Sequence, residues 1–271
     1  MHWAGPQRVD QQRESEAAAV LRECRQALAA GGRSIIAEAV GGDPADVALW
    51  QHYPAGEVYD PASHAQYFYH RHPGPVGLRR EEPSEHGHFH LFLRGEGMPA
   101  GITPLLLPEA AVANAPPPRQ SAPLRRGSRD EVCHLVAIAV DARGEPIRLF
   151  TTNRWVTGET WYRAEDVIGM LDRFSVGGDC PSALLNRWLR ALVRLFEPEI
   201  AALLRGRDRA IIERRWRWRS NVLEDARLEI TSSLDIDLDA RLAAVEQRAS
   251  GAAAVSGGQR PLLRVAEGWG A

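Results

Sequence analysis

Apolar and polar residues alternate through His86 to Arg94. Gly87, Phe89, Leu91 and Leu93 fall on one side of an extended chain, and His86, His88, His90 and Phe92 on the other. A period of two predicts a strand that turns one face to a core and presents histidine on the other. Gln66 to His72 is dense in aromatics, which favours a second strand. Asp60-Pro61 could equally start a helix there; the strand is the reading adopted, and Pro73-Gly74-Pro75 ends it. His134 to Val140 and Pro146 to Thr152 read as antiparallel partners across Asp141-Ala142-Arg143-Gly144. Thr157-Gly158 reads as a tight turn before a further strand at Thr160-Trp161-Tyr162, making an antiparallel meander of about five strands.

A period near 3.6 marks the helices. Gln11 to Ala30 carries Ala17, Val20, Leu21, Cys24 and Leu28 on one side and stops at Gly31-Gly32. A short helical piece spans Ser34 to Val40. Three more helices cover Glu165 to Phe174, Ser182 to Phe196 with Leu185, Trp188, Leu189, Leu192, Val193 and Phe196 on a buried stripe, and Glu199 to about Arg219. A strand at Arg227 to Ser232 and a helix from Leu238 to Gln247 follow. Gln51 to Asp60 is rich in turn formers and reads as a loop able to bring Glu57 and Asp60 to the histidines. The expected fold class is α+β, a single antiparallel sheet of about five strands packed by several helices on one side. Residues 1–250 are expected to form one domain with a proline-rich excursion at about 105–130, and 251–271 a flexible, Gly/Ala-rich tail.

An apolar content of 44% in 271 residues is that of a globular protein able to form a core. All 33 basic residues are arginine. The absence of lysine excludes a Schiff-base lysine, a pyridoxal-phosphate anchor and a phosphate-loop lysine in this chain. Cys24, Cys133 and Cys180 lie far apart without a Cys-x-x-Cys, against a disulfide framework or a zinc knuckle. A reducing cytoplasm is the expected compartment. Met1 to Glu16 lacks the apolar segment of a secretory signal, and apolar runs such as Leu135 to Val140 are too short to cross a bilayer, so no membrane partner is expected.

The chemistry concentrates in one stretch, since seven of nine histidines fall between His52 and His90. Four form two alternating pairs, His70-Arg71-His72 and His88-Phe89-His90, and alternation sets the members of a pair about 6.6 Å apart on one face. Two such strands side by side would offer up to four nitrogen ligands, His70, His72, His88 and His90, to a divalent transition metal such as zinc or iron. A carboxylate from Glu57, Asp60 or Glu85 would complete a set with open positions. Glu85 and His88 are the residues expected to act in catalysis. Against this stands the plain reading that an alternating strand shows histidines to solvent. His134 reads first as a satisfied interior histidine, and Asn153, Arg154, Thr157 and Glu159 as turn chemistry at a sheet rim. Arg214-Arg215-Trp216-Arg217-Trp218-Arg219 has the composition of a nucleic-acid contact. With no wider basic surface, a solvated helix end with two packed tryptophans is the preferred reading, and nucleic acid is not expected as a partner.

There is no His-Glu-x-x-His, Gly-x-Ser-x-Gly, Gly-Lys-Ser/Thr or dinucleotide fingerprint. His86-Gly87-His88-Phe89-His90-Leu91-Phe92 resembles the histidine-triad motif of nucleotidyl hydrolases and transferases, on which His88 would be a nucleophile toward phosphate. Over a longer span, His52-Tyr53-Pro54, Val58-Tyr59-Asp60, Tyr67-Phe68-Tyr69-His70, Glu85-His86-Gly87-His88-Phe89-His90 and Leu149-Phe150-Thr151-Thr152-Asn153-Arg154-Trp155-Val156-Thr157-Gly158-Glu159 resemble the blocks of an uncharacterised bacterial domain family of unknown function, from about residue 50 to 220. That resemblance implies one bacterial domain with these blocks brought together, and no activity. Three functions remain open: a metal-dependent hydrolase or oxygenase acting on a small molecule, metal-free nucleotidyl transfer through His88, and a non-catalytic binding or interaction protein.

Overall fold

The computed structural model describes residues 6–72, 85–105, 131–218, 221–251 and 263–265. They form a seven-stranded antiparallel sheet in which every strand pairs with its neighbours in chain order: β1 (His52–Tyr59), β2 (Ala65–His70), β3 (Glu85–Arg94), β4 (Val132–Asp141), β5 (Pro146–Thr152), β6 (Ile230–Asp235) and β7 (Arg264–Val265). Seven α-helices accompany it: α1 (Pro6–Ala30), α2 (Ile35–Val40), α3 (Arg154–Thr157), α4 (Ala164–Ile168), α5 (Ala183–Leu195), α6 (Glu197–Trp218) and α7 (Leu238–Ala249). The α+β class is as read from the pattern, with seven strands rather than about five.

Three differences account for the strand count. The stretch read as a loop at Gln51 to Asp60 is the edge strand β1, where Pro54 removes no interior ladder bond and a register shift between Tyr53 and Val58 takes up Gly56 and Glu57, both at positive φ. Thr160 to Tyr162 is not a strand. Asn153 accepts from the Arg154 amide and Gly158 closes the turn at φ 65, so Thr151-Thr152 leads into the short helix α3 rather than a hairpin. The far edge is supplied by β6, which overlaps the strand expected at Arg227 to Ser232 and joins the same sheet, and by β7, which lies within the stretch expected to be a tail. The rest of that tail, and the proline-rich stretch from residue 106, lie outside the described residues.

Local signals set the helix ends. The Ser182 hydroxyl accepts from Leu185 N at the start of α5, the Asp237 carboxylate from Ala240 N at the start of α7, and Gly41 at φ 66 ends α2. The α5 stripe is buried as its spacing predicts. It joins Ala17, Ala18, Leu21 and Cys24 of α1 and Tyr67, Tyr69, Phe89, Leu91 and Leu93 of the sheet in the main core. The helical layer therefore covers the face of the sheet opposite His88 and His90. At the end of α6, Trp216 is 79% exposed rather than packed.

Strand β3 carries an irregularity that decides which residues face the histidines. Its register against β4 shifts between Glu85 and Gly87, so the alternation breaks at the strand's start. His86, expected beside His88, turns to the helical side, where its Nδ1 lies 2.6 Å from the Tyr69 hydroxyl. Glu85 takes the place beside His88. Tyr69 crosses over Gly87 so closely that a Cβ there would overlap the tyrosine hydroxyl and the His70 carbonyl oxygen. Gly87→Ala is expected to destabilise the fold by about 2 to 3 kcal/mol, because one obstacle is backbone and cannot rotate away; a denaturation midpoint equal to that of the parent would contradict this.

Candidate metal centre

Pairing brings the two histidine motifs together. His70 of β2 lies opposite His88 of β3, and Phe68 opposite His90. On the other flank Ala139 and Ala137 of β4 lie opposite His88 and His90, so small side chains leave room for the imidazoles. Phe68, Phe92 and Phe150, all buried, surround the rings. His88 and His90 are 3% and 2% exposed, and His70, His72 and His52 are only half-buried. The cluster is thus graded from a closed side on β3 and β4 to an open side at β1 and β2.

His70, His88 and His90 each offer a ring nitrogen, and the three atoms lie within 4.8 Å of one another; this group could hold a metal ion. Nε2 of His70 and Nε2 of His88 approach to 2.6 Å. Bonds of about 2.0 to 2.1 Å in a tetrahedral site place such nitrogens about 3.3 Å apart, so an ion would need the His70 and His88 rings to move apart. Glu85 Oε1 lies 2.5 Å from Nδ1 of His88. A carboxylate there fixes the proton on Nδ1 and leaves a lone pair on Nε2, the arrangement found behind metal-bound histidines. Behind Glu85 stands Arg148, 4.0 Å from its other oxygen.

His72 does not join the group. It follows the end of β2, its ring stacks against Trp50 at 5.3 Å, and it meets His88 edge-on at 5.0 Å. His134 is interior, with Nε2 3.0 Å from His90 Nδ1 and Nδ1 3.4 Å from the Thr152 hydroxyl. It can therefore orient His90 from behind. Of the other carboxylates considered, Glu57 contacts His52 Nδ1 at 2.8 Å and accepts from Gln66, which in turn accepts from Arg94 Nε. Asp60 caps a turn, accepting from the amides of Ala62, Ser63 and Gly177.

Burial sets the protonation of these rings. His70 is pushed down to about 2, chiefly by desolvation and then by the neighbouring His88, His52 and His72. Burial likewise holds His90 well below the usual imidazole range, and lowers His134 to about 3 with help from the Arg207 charge. Burial raises the Glu85 carboxyl, but the hydrogen bond and charge of His88, with Arg148 and His72 adding, bring it below its ordinary value. Burial therefore keeps His70 and His90 as neutral imidazoles at physiological pH, the protonation state that metal ligation requires, beside an ionised Glu85.

A buried feature that no motif announced lies behind His134. Glu159, 1% exposed, accepts from the His134 backbone amide and the Thr157 hydroxyl. Burial raises its carboxyl to about 7, against the opposing charge of Arg207. Arg207, also 1% exposed, lies over the Trp161 ring at 4.2 Å and donates to the Tyr162 carbonyl and to Asp208. Arg207 and Glu159 are far apart in sequence and on different elements, so only the packing of α6 over the 157–162 segment reveals them. Asn153, Arg154 and Thr157 serve α3, as turn chemistry predicts.

The fold and cluster define an α+β protein with a histidine-lined candidate metal centre on the sheet face opposite its helical core. The chain belongs to the family described as Domain of unknown function (DUF6969), which it matches over residues 15–236. No curated protein and no solved structure matches it. No helix among the described residues is long and apolar enough to cross a membrane.

Proposed function

We propose that this protein binds a divalent transition metal, zinc or iron, through His70, His88 and His90, and that the centre serves hydrolytic or oxygenase chemistry on a small molecule. The observation that carries this reading is the convergence of three ring nitrogens from two adjacent strands, with Glu85 behind one of them. Three donors leave further positions for water or substrate. Bound metal would act as a Lewis acid or as the site of oxygen activation. The protein supplies fixed ligands, a carboxylate that holds the His88 tautomer, and phenylalanine walls that limit access of water.

The metal-free alternative asks for cationic or amide donors around His88, because a transferred phosphate must be stabilised. Of three candidate donors, two are engaged elsewhere and the third acts toward the opposite face. Asn153 donates to the Val222 carbonyl, Arg94 donates to Gln66, and Arg71 acts electrostatically on Tyr69 and His86 of the opposite face. Glu85 occupies one nitrogen of His88 and His70 faces the other, which favours ligation over nucleophilic attack.

Elemental analysis of protein purified without a histidine tag tests the reading. About one zinc or iron per chain, removable by a chelator and restored by the free ion, is expected. Protein that holds no transition metal after dialysis against micromolar zinc and, anaerobically, ferrous iron would sink it.

A further inference from the structure

Trp50 is the most exposed aromatic beside the histidine cluster, at 68%, and its neighbour Leu49 is 47% exposed. Its backbone is in the left-handed region at φ 67, which a bulky aromatic side chain rarely adopts. The conformation is held because Trp50 N donates to the Arg71 carbonyl at 2.8 Å, pinning the turn before β1 to the segment that carries His72. The indole stacks on His72, with 5.3 Å between centroids and 17° between planes. His72 in turn meets both His88 and His70 edge-on, at 5.0 Å and 5.7 Å. An exposed, strained tryptophan thus stands one ring away from the donor group, on the half-buried side of the cluster. Backbone strain of this kind concentrates at ligand clamps, because packing for stability alone would relieve it.

We propose that Trp50 is a ligand-stacking residue: its indole, braced by His72 at the open side of the centre, takes a planar aromatic ring of a ligand whose polar end reaches the metal. The inference rests on the metal-centre reading and deepens it by naming the substrate class, a small molecule with an aromatic ring set back from a metal-binding group. Ring-on-indole stacking rewards planarity, and a saturated ring of similar size gains less from the same surface.

The test uses hydroxamates, which chelate transition metals, as a graded series on the metal-loaded protein: acetohydroxamate without a ring, cyclohexanecarbohydroxamate, benzohydroxamate and biphenyl-4-carbohydroxamate. Calorimetric affinities are expected to rise at least about tenfold from acetohydroxamate to the biphenyl compound, with the cyclohexyl compound well below benzohydroxamate. In Trp50→Gly that ratio is expected to fall below about threefold, and Trp50→Phe should restore most of it. Glycine adopts φ 67 without strain, which offsets the lost contact with His72 and the added freedom of the unfolded chain, so Trp50→Gly should stay folded at the assay temperature by circular dichroism, and its loss of discrimination is then not due to unfolding. A ratio unchanged in Trp50→Gly, or a cyclohexyl compound that binds as well as benzohydroxamate, would overturn the proposal. Protein that takes up no metal before any hydroxamate is added would instead overturn the reading on which it rests.

Discussion

Alanine at both His88 and His90 is expected to lower bound metal from about one ion per chain to under about a tenth of that. The two substitutions remove two of the three nitrogens that lie within 4.8 Å of one another and leave His70 as a lone, half-buried imidazole. A single neutral imidazole does not retain an ion through dialysis. Two companion variants place the effect at the site. His72→Ala should keep the metal, because that ring stacks on Trp50 and stands outside the donor group. Glu85→Gln should weaken binding about 10- to 100-fold without abolishing it, since it alters only the partner that fixes the His88 tautomer. Circular dichroism of each variant separates metal loss from unfolding. Full stoichiometry in a folded His88→Ala, His90→Ala double variant would show that any ion is held elsewhere.

Acid is expected to unfold the metal-free protein near pH 4, through histidines the fold keeps neutral. His70 and His134 are held at about 2 and about 3, and His90 well below its ordinary value, whereas in the unfolded chain each titrates near the usual 6.5. A depressed imidazole means that the unfolded chain binds more protons once the pH is below 6.5. The associated stability is therefore present above that pH and is lost as pH falls toward the folded values. Glu159 works in the opposite sense. Its carboxyl, raised to about 7, keeps a proton that the unfolded chain gives up near 4.5, so its contribution is present below 4.5 and fades as pH rises through 7. Between pH 4.5 and 6.5 it offsets one of the three histidines. Two net protons correspond to roughly 3 kcal/mol per pH unit below the histidine range, against a total stability on the order of 5 to 15 kcal/mol. Denaturant midpoints at pH 7, 6 and 5, followed by tryptophan fluorescence, should fall steeply, and zinc should move the acid transition to lower pH because it binds only the folded, deprotonated cluster. Equal midpoints at pH 7 and pH 5 would mean that the three rings are not held neutral by the fold.

Much of this molecule is legible along the chain because its signals are local. Alternation at Phe89 to Leu93, the 3.6-residue stripe from Leu185 to Phe196 and the Asp141 to Gly144 turn each depend on a few adjacent residues, and each element forms where its pattern places it. The two histidine pairs were equally visible, since their spacing alone puts the members of a pair on one face. The readings that changed involve an extra residue or a distant partner. Composition made β1 look like a loop, because proline and glycine are tolerated on an edge that the linear chain does not identify as one.

The sequence by itself determined that strands would carry alternating histidines, that helices would cover one face, and that no lysine chemistry would be present. Only the tertiary structure decided which histidines meet. The bulge at Glu85 to Gly87 exchanges His86 for Glu85 beside His88, and the end of β2 at His70 releases His72 to Trp50. It likewise decided that Glu159 and Arg207, 48 positions apart in the chain, would share one buried region behind His134. The physical reason is one of range. Periodicity and capping act over a few residues through backbone geometry, whereas strand register, bulges and the burial that shifts a pKa depend on which distant segments pack together.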